Sequence, residues 1–202
     1  GLIISESAQV SPQGRGYLYT PGIHSAAQIE GWKRVTDAVH QAGGRMFLQL
    51  WHVGRVSHSS LLDGRSPVAP VAMPASQTLV HAYDSYGKPA QVAVSAPVAL
   101  DAEGIRQVIA DFRLASANAL SAGFDGVEIH AGNGYLFEQF INGGFNTRED
   151  RFGGAPIANR LRLLLETVDA VSAQIGSAKV GVRVSPFAHL ADLHPFDGEE
   201  AT

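Results

Sequence analysis

Residues 122–135 read Ala-Gly-Phe-Asp-Gly-Val-Glu-Ile-His-Ala-Gly-Asn-Gly-Tyr, and this stretch decides the fold. Phe124–Ile129 is an apolar run of strand length with little polar alternation, the pattern of a parallel strand covered on both faces. Upstream of it, Asp101 opens a helical region in which Ile105, Val108, Ile109, Phe112 and Ala115 recur at helical spacing, ending near Gly123. Downstream, the strand runs straight into a polar turn punctuated by Gly132 and Gly134. A helix, a short link, a buried strand and a chemically rich turn make one α/β unit.

Three more strand-like runs repeat the theme: Leu2–Ser5, Arg45–Leu50 and Val180–Ser185. Ser25 and Gln28 can form a capping box ahead of Ile29, Trp32, Val35 and Val39 on one helical face, and Gly43-Gly44 stops that helix. A third helix is predicted from about Asn159 to Ile175, with Leu161, Leu164, Leu165, Val168 and Val171 inward. The order β-α-β-α-β-α-β predicts parallel strands joined by right-handed crossovers. The stretch from about 53 to 97 is rich in Pro, Ser and Gly and too long for a plain βα loop. It is expected to be a loop plus hairpin lying over one face of a single domain spanning 1–202.

The chain has 202 residues, 45% hydrophobic and 17% charged, which is the profile of a globular domain with a real core. A net charge of −4 without a basic run argues against nucleic acid or an anionic membrane as partner. Absence of cysteine removes disulfides, thiolate metal sites and a cysteine nucleophile. No apolar stretch has the length of a membrane span, and a cytoplasmic location is the default expectation. The first residue is Gly1, Leu2-Ile3-Ile4 already reads as buried strand, and Thr202 follows Gly198-Glu199-Glu200, where a helix would start; both ends read as cut.

In parallel α/β folds ligands bind at the carboxyl ends of strands. Polar residues gather there: Ser5-Glu6-Ser7, then Gln49-Leu50-Trp51-His52, then His130 to Tyr135, then Arg183 with Ser185-Pro186. His130 and Asn133, two neutral donors in one turn, can grip a carbonyl or nitro oxygen and make the conjugated carbon electrophilic. Tyr135, a phenol that stays protonated at neutral pH, can give a proton to the neighbouring carbon. Activation, hydride and proton describe reduction of a polarised C=C bond. The chain holds no hydride source, so a redox cofactor is required. Arg183 and Gln49 can offer a cation and an amide to the polar edge of a flavin.

The stretches LIISESAQVSPQGRGY, TPGIHS, GGRMFLQLWHVGRVSH, PVAP, AGFDGVEIHAGNGYL, NTREDRFGG, NRLRLLLETVDAV and VGVRVSP resemble the Old Yellow Enzyme family, most closely its bacterial N-ethylmaleimide and xenobiotic reductases. The resemblance implies a (β/α)8 TIM-type barrel that holds FMN and is reduced by NADPH or NADH. Here that barrel is incomplete: about four parallel β/α units, lacking the first strand and the last strands. It implies electrophilic alkenes (enones, maleimides, nitroalkenes) as substrates. By residue match, His130 and Asn133 hold the activating oxygen, and Tyr135 donates the proton. Gln49, Arg183 and Ser7 contact the flavin, while Tyr17 and Trp51 shape the substrate pocket. Ser7 stands where the family has Gly or Ala, Ala8 where it has Thr, and Phe152 where it has Tyr. The segments that carry the family's FMN phosphate site are not matched.

Plainer readings stand beside these. Tyr135 can be a packed aromatic, Arg183 an ion-pair partner of Glu128 or Glu6, Trp51 a core filler, and Ser7 a position whose side chain does nothing. His24, His58, His81, His189 and His194 read as loop residues, and Asn146, Arg148, Asp150 and Arg151 as a structural clamp. His52 and His130 lack any HExxH or clustered ligand spacing, so no metal site is expected. The competing functions are an inactive barrel fragment that self-associates through open strand edges, and a barrel lyase or hydrolase without flavin. The latter lacks paired carboxylates or a nucleophile–base set.

Overall fold

A computed structural model describes residues 1–193; His194 and the Gly198–Glu200 helix start fall outside them. The chain runs β1 (Leu2–Gln9), α1 (Ala26–Gln41), β2 (Arg45–Trp51), β3 (Val68–Ala69), β4 (Leu79–Tyr83), β5 (Pro89–Ala93), β6 (Val98–Ala99), α2 (Ala102–Ser121), β7 (Gly126–His130), α3 (Leu136–Ile141), α4 (Ile157–Arg160), α5 (Arg162–Ile175) and β8 (Val180–Arg183). The main sheet has the order β1-β2-β7-β8, with every pair parallel. Antiparallel β4 and β5 form a hairpin, and β3 pairs with β6.

Helix boundaries follow local chemistry. Ser25 and Gln28 close the capping box of α1, and Gly43, at φ 75°, ends it in the left-handed region. The Asp101 carboxylate accepts from Gly104 N–H and caps α2. Residues of α1, α2 and α5 pack in one core with Leu48 and Leu50 of β2 and Val127 and Ile129 of β7. Strand alternation then sends Phe47, Gln49 and Glu128 to the opposite face. Asp125 ties the sheet at its lower end, accepting from Met46 N–H at 2.9 Å and from Arg45 at 2.8 Å.

Several packing expectations are corrected. The third helix is broken at Leu161 into α4 and α5. Its buried face is Leu163, Leu164, Thr167, Val171 and Ile175, while Leu165 is 53% exposed. The run Leu163-Leu164-Leu165 offers more than one helical phase, and buried Thr167 satisfies its hydroxyl by donating to Leu163 O at 2.7 Å. On α1, Trp32 and Thr36 are buried, but Val35 is exposed. Val35 instead walls an apolar groove of about 760 Å³ with Leu2, Ile3 and Val39, so the start of β1 is exposed rather than covered on both faces. No helix among the described residues is long and apolar enough to cross a membrane.

Candidate active site

The carboxyl ends of β1, β2, β7 and β8 surround one cavity of about 400 Å³, within the range of small-molecule sites. Ser7, Gln49, Trp51, His130, Asn133, Tyr135 and Arg183 line it, together with Glu6 and Thr20. Tyr17 is not part of that lining. It stacks on Trp51 with ring centroids 5.6 Å apart, and its hydroxyl lies 3.2 Å from that of Tyr135.

The strand register explains the convergence. Ser7 pairs with Gln49, Gln49 with Glu128, and Glu128 with Gly181, so one row crosses all four strands on the face away from the helices. The Ser7 hydroxyl donates to Gln49 Oε1, and Gln49 Nε2 donates to Glu128 Oε2 at 2.5 Å. Next along β7 and β8, His130 pairs with Arg183. Neither Glu128 nor Glu6 forms an ion pair with Arg183; its guanidinium has no hydrogen bond or ion pair among the described residues.

His130 is 3% exposed, and its Nδ1 accepts from Gly132 N–H at 3.3 Å. The proton of the neutral ring therefore sits on Nε2, which makes no hydrogen bond within the described residues. Burial, reinforced by the Arg183 charge, pushes the pKa of His130 down to about 4, so the imidazole is a neutral donor at neutral pH. His52 repeats the device one strand over: its Nδ1 accepts from Gly54 N–H at 3.1 Å, and burial takes its pKa down to about 4. Burial, and then the Tyr17 hydroxyl, raise the Tyr135 pKa well above the ordinary phenol value. The Tyr135 ring meets Trp51 and His130 edge-on, at centroid distances of 5.1 and 5.3 Å.

The turn that carries Asn133 is rigid for identifiable reasons. Asn133 sits at φ 60° and Gly134 at φ 78°. Asn133 N–H donates to Ser185 Oγ at 2.6 Å, and Ser185 Oγ and Gly134 N–H both donate to Glu138 Oε2, at 2.9 and 2.8 Å. Glu138 is 2% exposed, and burial raises its pKa despite those two bonds. Gln139 Nε2 bridges Val53 O and Gly134 O, and its Oε1 accepts from Arg55 N–H, which locks the loop after β2 to the turn after β7. Sequence reasoning missed Glu138 and Gln139. The available signal was a carboxylate at the third position of α3, where a capping side chain reaches back, set among Phe137 and Phe140.

A donor-rich cavity with a guanidinium unpaired among the described residues, an anchored amide and an aromatic wall fits a flat, acceptor-rich ring such as isoalloxazine. Among the described residues, no group of three or more metal-ligating side chains is present.

Residues 1–196 match the sequence model of the NADH:flavin oxidoreductase / NADH oxidase family. The chain is 43% identical over 198 residues to 12-oxophytodienoate reductase 1 of Oryza sativa subsp. japonica, covering 98% of this chain and 49% of that protein. It superposes on morphinone reductase in complex with tetrahydroNAD with TM-score 0.94 and 47% identity, covering 98% of this chain and 55% of the other. The Old Yellow Enzyme homologue from Zymomonas mobilis gives TM-score 0.91 and 42% identity, with 98% and 54% covered. The chain thus spans about half the length of the relatives it matches, and its β/α units form an incomplete (β/α)8 barrel. It belongs to the NADH:flavin oxidoreductase / NADH oxidase family, whose flavin is FMN.

Proposed function

We propose that this chain carries the substrate face and the ring-binding side of an FMN-dependent reductase of activated C=C bonds, with enones, maleimides and nitroalkenes as the substrate class. When bound, FMN reduced by NADPH or NADH supplies the hydride to one alkene carbon. His130 Nε2–H and the Asn133 amide hold the carbonyl or nitro oxygen, drawing charge from the alkene. Tyr135 gives its proton to the other carbon, and its raised pKa keeps it protonated until a strongly basic carbon forms beside it. Arg183, Gln49 and Ser7 hold the flavin ring, and Arg183 offsets negative charge on its polar edge. Trp51 walls the space for the alkene, and Tyr17 acts from behind it, stacking on Trp51 and bonding the Tyr135 hydroxyl. The complex of morphinone reductase with tetrahydroNAD supports a nicotinamide coenzyme as the reductant.

One observation carries this reading: Tyr135 and Arg183, from different strand ends, line the same cavity as His130 and Asn133. The test begins with the visible spectrum of the chain after FMN addition, then NADPH under anaerobic conditions. Uptake of FMN and bleaching are expected. In Tyr135→Phe, bleaching should be unchanged, while reoxidation by an enone slows by about 10²- to 10⁴-fold, the worth of a general acid. A chain that takes up no FMN overturns the assignment and favours an inactive fragment; turnover without flavin favours a lyase or hydrolase.

A further inference from the structure

The hydrogen-bonded row across β1, β2 and β7 has a consequence for Gln49. A primary amide carries two N–H donors and two oxygen lone pairs, and it can turn end for end at little cost. Glu128, as a carboxylate, only accepts, so the amide end that meets it at 2.5 Å must be Nε2. The oxygen end then faces Ser7, whose hydroxyl donates to it. With both neighbours in place the amide has one allowed orientation. One N–H and one lone pair remain for the cavity, in fixed order. An alanine or glycine at position 7 would leave Glu128 as the amide's single anchor.

We propose that Ser7 is a positioning residue: its hydroxyl, acting with the Glu128 carboxylate, locks the Gln49 amide so that the cavity meets a preset donor–acceptor pair. Backbone register supports the lock, because Ser7, Gln49 and Glu128 are direct partners on adjacent strands and need no long side chain to reach one another. Preorganisation of this kind raises affinity by removing the cost of ordering the amide when a ligand binds. The consequence for FMN rests on the reading of this cavity as a flavin site; the lock itself does not.

The experiment therefore has two arms. In the first, the protein without flavin carries ¹⁵N-labelled glutamine, and the Gln49 side-chain amide signal is identified by its loss in Gln49→Leu. Its two protons should be shifted from those of exposed glutamines and slow to exchange with water. In Ser7→Ala, with Glu128 as the remaining anchor, they should move part of the way toward the exposed position and exchange about two- to threefold faster, while Ser7→Thr, which keeps the hydroxyl, restores the native signal. In the second arm, FMN is titrated by quenching of its fluorescence. Ser7→Ala should weaken binding by about three- to tenfold, the equivalent of one net hydrogen bond, with Ser7→Thr within about twofold of the native chain. An unchanged Gln49 signal in Ser7→Ala overturns the lock. A changed signal with unchanged FMN affinity overturns its role toward the flavin. If the native chain takes up no FMN, the functional reading fails and the first arm still decides the lock.

Discussion

His130 and His52 show how a single backbone hydrogen bond sets the chemistry of a side chain. Each stands two residues before a glycine whose N–H it accepts at Nδ1, so each carries its proton on Nε2. A consequence for pH follows. Both imidazoles have ordinary values of 6.5 and folded values of about 4, so protons bind more readily to the unfolded chain. Their stabilising contribution is complete above pH 6.5 and is lost as pH falls toward 4. Glu138 works in the opposite sense: its folded pKa is raised, so its contribution is present at low pH and lost as pH rises through that value. Comparison with His130→Asn isolates the histidine. Urea unfolding should show the native chain losing, relative to this variant, up to roughly 2 kcal/mol between pH 6.5 and 5. The His130 ring should show no NMR titration above about pH 5; a midpoint near 6.5 would contradict the burial argument. At this scale the sequence was informative where residue types cluster, as in His130, Asn133 and Tyr135. It was silent on tautomer and on the buried Glu138, because both depend on contacts across strands.

At the scale of elements, glycines mark where backbones approach closely and where they merely occupy a helix. A Cβ on Gly132 would come within 2.7 Å of Ser185 Oγ and 3.0 Å of Ser185 N, forcing β7's turn away from the segment after β8. Gly31, inside α1, has nothing within 4 Å of the same position. Gly132→Ala should therefore cost about 1–3 kcal/mol of stability, as an overpacked site does. It should also weaken any ligand held by Asn133, whose N–H bond to Ser185 would be displaced. Gly31→Ala should stabilise by about 1 kcal/mol through helix propensity alone. Urea midpoints of the two variants, moving in opposite directions, check this; movement in the same direction would refute the distinction. The strands and the caps of α1 and α2 were legible because apolar runs and capping residues are local signals. The buried face of α5 was legible only in part: Leu164 and Val171 are inward as expected, but three consecutive leucines left it to tertiary packing that Leu163 rather than Leu165 joins them.

Across the whole molecule, guanidinium groups do the work of fastening long loops to the site end of the sheet. Arg55 is 1% exposed, yet among the described residues it belongs to no ion pair; it donates to Met73 O, Pro74 O and Ala191 O at 3.1, 3.2 and 2.8 Å and lies 3.9 Å over the Phe145 ring. Burial lowers its pKa to about 10, opposed by the charge of Asp192, which itself accepts from Gln77 N–H. Arg148, paired with Asp150, donates through Nη1 to both Pro70 O and Leu100 O. The composition of 53–97 reveals only that it is no plain βα loop. The carbonyl oxygens that hold it lie up to 136 residues from their donor in sequence, a separation no local pattern encodes. Arg55→Met keeps much of the volume but abandons three carbonyl oxygens and a ring face, so it should cost about 2–4 kcal/mol. Arg55→Lys keeps the charge but not the planar fork that serves two loops at once, and should recover less than half of that loss. Hydrogen exchange discriminates the mechanism from simple core damage. The Gln77 amide, bonded to Asp192 at 2.8 Å, should exchange markedly faster in Arg55→Met, while Leu48 and Ile129 amides in the sheet keep their protection order. Uniform acceleration at all three would mean that Arg55 supports the core, and that these loops are fastened by something else.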